Sequence, residues 1–142
     1  MEVVEVTTMT GDAADAVRRL LPQLSSSAAT PSDGLIERIV ESDSSRLLFA
    51  CEDGVVVGML TMVIFTIPSG VRAWIEDVVV DEAGRGKGVG EMLNRAAIEL
   101  AKREGARTID LTSRPTREAA NRLYRRIGFA PRQTNVYRFE VD

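Results

Sequence analysis

Val78-Val79-Val80-Asp81-Glu82-Ala83-Gly84-Arg85-Gly86-Lys87-Gly88-Val89-Gly90 leads out of an apolar stretch and into an amphipathic one, with four glycines in its last seven residues. Upstream, Val71 to Val80 reads as a strand. Downstream, Val89, Met92, Leu93, Ala96 and Leu100 fall on one helical face, and Gly105 is placed to end that helix. Glycine lets a backbone take positive φ and come close to a ligand. Successive peptide N–H groups can then converge on an anion, and the following helix adds its own unpaired N–H groups and positive dipole end. Arg85 and Lys87 contribute charge. The segment predicts a pyrophosphate site at a strand–helix junction.

Two common phosphate loops fail on spacing. A P-loop needs Ser or Thr after its lysine, and Gly88 follows Lys87. The dinucleotide fingerprint needs a glycine three residues after its second, and positions 89 and 91 are Val and Glu. A merely tight strand–helix connection is the plain alternative, but it would not require four glycines and two cations.

Working towards the N-terminus, Val55 to Ile67 is a long strand, joined to Ser45–Cys51 through Asp53-Gly54, a tight hairpin turn. Pro68-Ser69-Gly70 turns the chain into the strand that precedes the glycine loop. Glu2 to Thr7 is a short first strand. Asp12 can cap a helix with Ala13, Ala16, Val17, Leu20 and Leu21 on one side, and Pro22 lies close behind. Ser25 to Gly34 is a loop, and a second short helix buries Leu35, Ile36, Ile39 and Val40.

Towards the C-terminus, Thr108 to Thr112 is a brief strand. Thr116 can cap a helix carrying Ala120, Leu123, Tyr124 and Ile127, with Gly128 as its stop. Phe129 opens a last hairpin that ends in the strand Asn135 to Val141. The expected order is β-α-α-β-β-β-α-β-α-β-β. Hairpin strands followed by strand–helix alternation give an α/β (α+β) fold, a mixed and mostly antiparallel sheet of about seven strands with about four helices.

The 142 residues suit one domain, and a formal charge of −3 gives no global attraction for nucleic acid or an anionic membrane. With no histidine, the usual Ser-His and Cys-His nucleophiles and the commonest zinc ligand are missing, and no metal is expected. Cys51 is the single cysteine and reads as a small buried hydrophobe. Glu2 and Glu5 replace a basic leader, and Val55 to Ile67 falls short of the ~20 residues of a membrane span. The expectation is a cytoplasmic protein.

These residues resemble the GNAT superfamily of acyl-CoA-dependent N-acetyltransferases. Its CoA-pyrophosphate signature, Arg or Gln, two residues, Gly, one residue, Gly or Ala, is matched by Arg85, Gly88 and Gly90 after an apolar strand. A later helix reading Asn, two residues, Tyr, then Gly-Phe is matched by Asn121, Tyr124, Gly128 and Phe129. The resemblance implies that residues 1–142 form one such domain and that acetyl-CoA is its co-substrate. Val78, Val79 and Val80 would pair with the pantetheine arm like an added strand. The amides of Arg85, Gly86, Lys87, Gly88, Val89 and Gly90 would hold the pyrophosphate. Asn121 would contact the pantetheine through its side-chain amide, and Tyr124 would protonate the departing thiolate.

The resemblance also implies direct attack by a primary amine of a small molecule or peptide. A non-catalytic domain that senses acetyl-CoA is the alternative. Dimers are common in the family, which allows a homodimer.

A neutral amine must form before attack, so a carboxylate usually accepts its proton, directly or through water. Glu76 and Asp77 are the candidates, and Glu76 is the choice, in an Ile-Glu-Asp segment like that of some family members. In strict alternation Arg72, Trp74, Glu76, Val78 and Val80 share one face, and Val71, Ala73, Ile75, Asp77 and Val79 the other. Each face would then carry an acid, unless a bulge re-aims one of them. Trp74 shares the face of Glu76 and either floors the acceptor pocket or packs in the core. Arg114, Arg117, Arg122, Arg125 and Arg126 make a basic cluster, either a solvated face or a help with the CoA phosphates.

Overall fold

The computed structural model describes residues 1–142 as two compact units, Met1–Thr112 and Ser113–Asp142. The first unit holds a five-stranded sheet in the order β1-β2-β3-β4-β5. Its elements are β1 (Glu2–Glu5), α1 (Gly11–Leu24), α2 (Asp33–Glu41), β2 (Ser45–Glu52), β3 (Val55–Ile67), β4 (Gly70–Val80), α3 (Val89–Arg103) and β5 (Ile109–Asp110), with a 3-10 turn at Glu82–Gly84. The pairings are antiparallel except β4 with β5, which is parallel. The second unit holds α4 (Glu118–Arg126).

Helix ends follow local chemistry, though not always at the expected residue. Thr10 rather than Asp12 caps α1, its Oγ1 accepting from the Ala13 amide at 3.1 Å. Pro22 lies inside the last turn of α1. Ser32 caps α2 in the same way through Leu35. Asp53 and Gly54 both take positive φ, 51° and 77°, as the two-residue β2–β3 hairpin requires. Gly105 ends α3 with φ 80°, its N–H donating to the Lys102 carbonyl and that of Ala106 to Ala101. That paired closure satisfies carbonyls left over at a helix end.

Both faces of the sheet are covered. Leu47, Phe49, Met59 and Val79 pack with Ala13, Val17 and Leu20 of α1 and Ile36 and Val40 of α2. Leu20 and Ile36 are fully buried, each worth about 1.5–3 kcal/mol, whereas Leu35 is exposed. On the opposite face α3 meets Gly58, where any Cβ would strike Val89 and Leu93. The buried side of α3 is Val89, Leu93, Asn94, Ala97, Leu100 and Ala101. Met92 and Ala96 are only half-buried, so the buried face lies one position round the helix from the expected one.

The strand count is five, not about seven, and the observed order ends at α4. Thr108 to Thr112 contributes only Ile109 and Asp110 to the sheet. The last hairpin is absent: Val136, Tyr137, Phe139 and Val141 are exposed, and residues 127–142 pair with no strand. Alternation marks a segment able to be a strand, but a ladder also needs a partner edge, which no local pattern encodes. No helix is long and apolar enough to cross a membrane.

Candidate active site

In the first unit, the site candidates follow one another along β4 and the loop beyond it. Thr61 of β3 faces Glu76 and Met59 faces Val79, so Asp77 and Val78 together oppose Leu60 alone. That is a β-bulge, and Asp77 at its centre takes φ 50°. The extra residue switches the faces. Ile75 pairs with Met62, away from the α1–α2 core, whereas Val79 beyond the bulge belongs to that core. Strict alternation therefore fails at Asp77: Glu76 and Val79 share a face although their numbers differ in parity.

Glu76 and Asp77 are both exposed. Trp74, two residues back on the same face, donates its indole N–H to Glu76 Oε1 at 2.7 Å. The sequence placed these residues side by side but carried no sign of the bond.

β5 pairs with β4 only at Ala73 and Trp74, so the edge of β4 from Glu76 onward has no strand on that side. Val78, Val79 and Val80 lie along this open edge, Val79 buried and its neighbours half-buried. Asp81 follows and fastens the junction. It accepts from Arg19 Nη1 at 2.8 Å and Gln23 Nε2 at 3.1 Å, and Gln23 Oε1 accepts from the Glu82 amide at 3.1 Å. Gln23's hydrogen bond, with help from the Ala83 amide and Arg19, holds the Asp81 carboxyl below the usual range against its desolvation. No motif pointed to this clamp, because its partners lie 58 and 62 residues apart in sequence.

In the glycine loop the four glycines divide their tasks. Gly84 is buried, and a Cβ there would stand 3.2 Å from Val57 Cβ, so its smallness serves packing on β3. Gly86 and Gly88 take φ 81° and 78°, and a Cβ on either would meet nothing within 4 Å. Gly88 is the N-cap of α3, with Val89 buried at its first position. Gly90 lies inside the helix, and its carbonyl accepts from Asn94 Nδ2 at 2.8 Å. Asn94 is the one fully buried polar side chain, and its Oδ1 has no partner. Arg85 is exposed, and Lys87 Nζ lies 3.7 Å from Glu52 Oε1. Two left-handed glycines leading into a helix N-terminus suit an anion with several oxygens.

In the second unit, α4 begins after Arg117 with no side-chain cap, so Thr116 does not cap it. Asn121 is half-buried, and its Nδ2 donates to the Arg114 carbonyl at 3.0 Å, which leaves Oδ1 as the free end of its amide. Tyr124 is buried. Its carbonyl accepts from the Phe129 amide at 2.9 Å, and its ring meets Phe129 edge-on at 5.8 Å. Gly128 between them takes φ 114°. The Gly128-Phe129 pair thus locks the Tyr124 backbone and ring together. Burial pushes the Tyr124 phenol above its ordinary range, opposed by the charge of Arg117. Arg114, Arg117, Arg122, Arg125 and Arg126 are all exposed. Burial, with Glu2 adding to it, pushes the Cys51 thiol up as well, which disfavours a nucleophilic thiolate there.

Known proteins resemble this chain in sequence and in fold. Among curated proteins, N-alpha-acetyltransferase 30 of Schizosaccharomyces pombe is 32% identical over 72 residues, spanning 51% of this chain and 47% of that protein. A solved structure described as a transcriptional regulator from Bacillus halodurans superposes at a TM-score of 0.81 with 26% identity, covering 98% of this chain and 100% of the other. An aminoglycoside N-acetyltransferase solved in complex with CoA has a TM-score of 0.83 at 18% identity, covering 99% and 95%. The model of the acetyltransferase (GNAT) family matches residues 14–129, from α1 through the Tyr124 helix to Phe129. The chain belongs to the GNAT family of acetyltransferases.

Proposed function

We propose that the chain is an acyl-CoA-dependent N-acetyltransferase that binds acetyl-CoA and a primary amine together and lets the amine attack directly. The strongest support is the pairing of Gly86 and Gly88 in left-handed conformation at the N-terminus of α3 with an open β4 edge just before it. The loop suits a pyrophosphate, and the free backbone groups of Val78–Val80 suit the amides of a pantetheine arm laid alongside as an extra strand. When bound, acetyl-CoA supplies an acetyl group already activated as a thioester.

The chain's own residues then have two proton tasks. Glu76, held by Trp74, takes a proton from the acceptor ammonium at its carboxylate, directly or through water. Tyr124 gives its phenolic proton to the departing sulfur, and its raised pKa keeps that proton in place at neutral pH. Asn121 offers its Oδ1 to the pantetheine arm. The acceptor is a small molecule or a peptide amine.

Isothermal titration with acetyl-CoA tests the reading. The unmodified protein should bind it in preference to ATP or NAD. Gly88→Val places a β-branched residue at φ 78°, a strain of order 1–3 kcal/mol, and should weaken acetyl-CoA binding ten-fold or more. Equal affinity in the variant would put the ligand elsewhere.

A further inference from the structure

We propose that Trp74 is a positioning residue for deprotonation of the acceptor, fixing the Glu76 carboxylate through its indole N–H; this rests on the function proposed above. The bond is short, 2.7 Å from Nε1 to Oε1, and runs between residues two apart on one strand face. Glu76 is exposed, and an exposed glutamate with three free torsions has no preferred aim unless something holds it. Trp74 supplies that hold, and as a residue it is half-buried where Glu76 is exposed.

The surroundings keep this pair accessible. Thr61, Val63 and Phe65, the β3 partners on the same face, are all half-buried. The opposite face is sealed at the same level, with Met62 fully buried and Ala73 and Ile75 nearly so. The bulge at Asp77 begins immediately after Glu76, so the carboxylate stands at the point where β4 changes face. An indole has one N–H and no acceptor, so it engages one carboxylate oxygen and leaves the other for the amine. A charge-assisted bond of this kind is stronger than a neutral one. Trp74 thus limits the approach of the acceptor as well as the aim of the base.

Trp74 is the only tryptophan, so its indole N–H gives one resonance and can be followed without assignment. In 15N-labelled protein, Glu76→Gln should shift that resonance and speed its exchange with water. An unmoved signal would overturn the contact. In thiol-release assays with spermidine, kanamycin and an alanine-terminated peptide as acceptors, Trp74→Phe should lower kcat roughly three- to ten-fold while acetyl-CoA affinity holds. The decisive comparison is the double variant. If Trp74 acts through Glu76, Trp74→Phe costs nothing further in the Glu76→Gln background. A loss that persists in full there makes Trp74 a packing or substrate-contact residue and overturns the proposal while leaving Glu76 as base. Glu76→Gln turning over at the unmodified rate would remove the base itself, and the positioning role with it.

Discussion

Replacing Gly58 by alanine should loosen the protein and shift its glycine loop together, because the two depend on one contact. The added Cβ would sit 2.8 Å from Val89 Cγ1, 3.1 Å from Leu93 Cδ1 and 3.1 Å from the Val79 carbonyl oxygen. Carbon atoms rest at about 3.5–4.0 Å, so α3 must retreat by about 1 Å or Val89 must leave its rotamer. Val89 and Leu93 are buried at 2% and 0% exposure, which leaves little free space to receive them. Overpacking of this kind costs about 1–3 kcal/mol. For a chain of this size the thermal midpoint should drop by roughly 3–10 °C. Because Val89 directly follows Gly88, retreat of α3 also shifts the loop, and acetyl-CoA affinity should fall several-fold. Differential scanning calorimetry and titration of the same samples measure both. Val89→Ala removes the γ-carbons that the new Cβ strikes, so the double variant should be more stable than the sum of the two single losses by at least ~1 kcal/mol. Strictly additive losses, or an unchanged midpoint in Gly58→Ala, would refute the packing argument.

Three further outcomes follow from the site. Tyr124→Phe keeps the ring against Phe129 and removes the hydroxyl, so acetyl-CoA affinity should hold while kcat falls roughly ten-fold or more; steady-state kinetics on the true acceptor decides this, and an unchanged kcat would leave Tyr124 as a packing residue. In a Tyr137→Phe background the one remaining tyrosine should ionise above its ordinary value of about 10, read by phenolate absorbance, and the stability it contributes should be complete below pH 10 and lost as pH rises through the elevated folded value. Asp81 behaves oppositely: its carboxyl is held low in the folded state, so its contribution is present above about pH 4 and lost as pH falls through the lowered value. Asp81→Asn should therefore flatten the acid limb of a denaturation series, and an unchanged acid limb would show that the Arg19–Gln23 clamp does not bear on stability.

Much of the architecture was legible because some residues dictate local geometry outright. Asp53-Gly54 could be read as a tight hairpin because both positions need positive φ, which few other pairs supply. Gly105 and Gly128 marked helix ends for the same reason, and Gly86 and Gly88 marked the tight turn into α3. Ala120, Leu123, Tyr124 and Ile127, with Gly128 as a stop, placed the tyrosine on a short helix, whereas the closure of that helix by Phe129 appears only in the structure. These readings rest on dihedral preferences that a residue carries wherever it stands.

What stayed hidden depends on chain segments that are distant in sequence. The bulge could be suspected between two adjacent acids, but only the register of β3 against β4 put it at Asp77 and brought Val79 to the face of Glu76. The buried side of α3 turned by one position to take in Asn94, because the contact with Gly58 of β3 sets the helix's rotation. The strand expected at Asn135–Val141 has the right alternation and no ladder, since pairing needs an edge as well as a pattern. Trp74 and Glu76 were legible as neighbours, yet the bond that turns them into a unit depends on side-chain rotamers that residue type does not set. Local conformation is encoded in residue type, whereas register, rotation and side-chain partnership are decided only when separate elements meet.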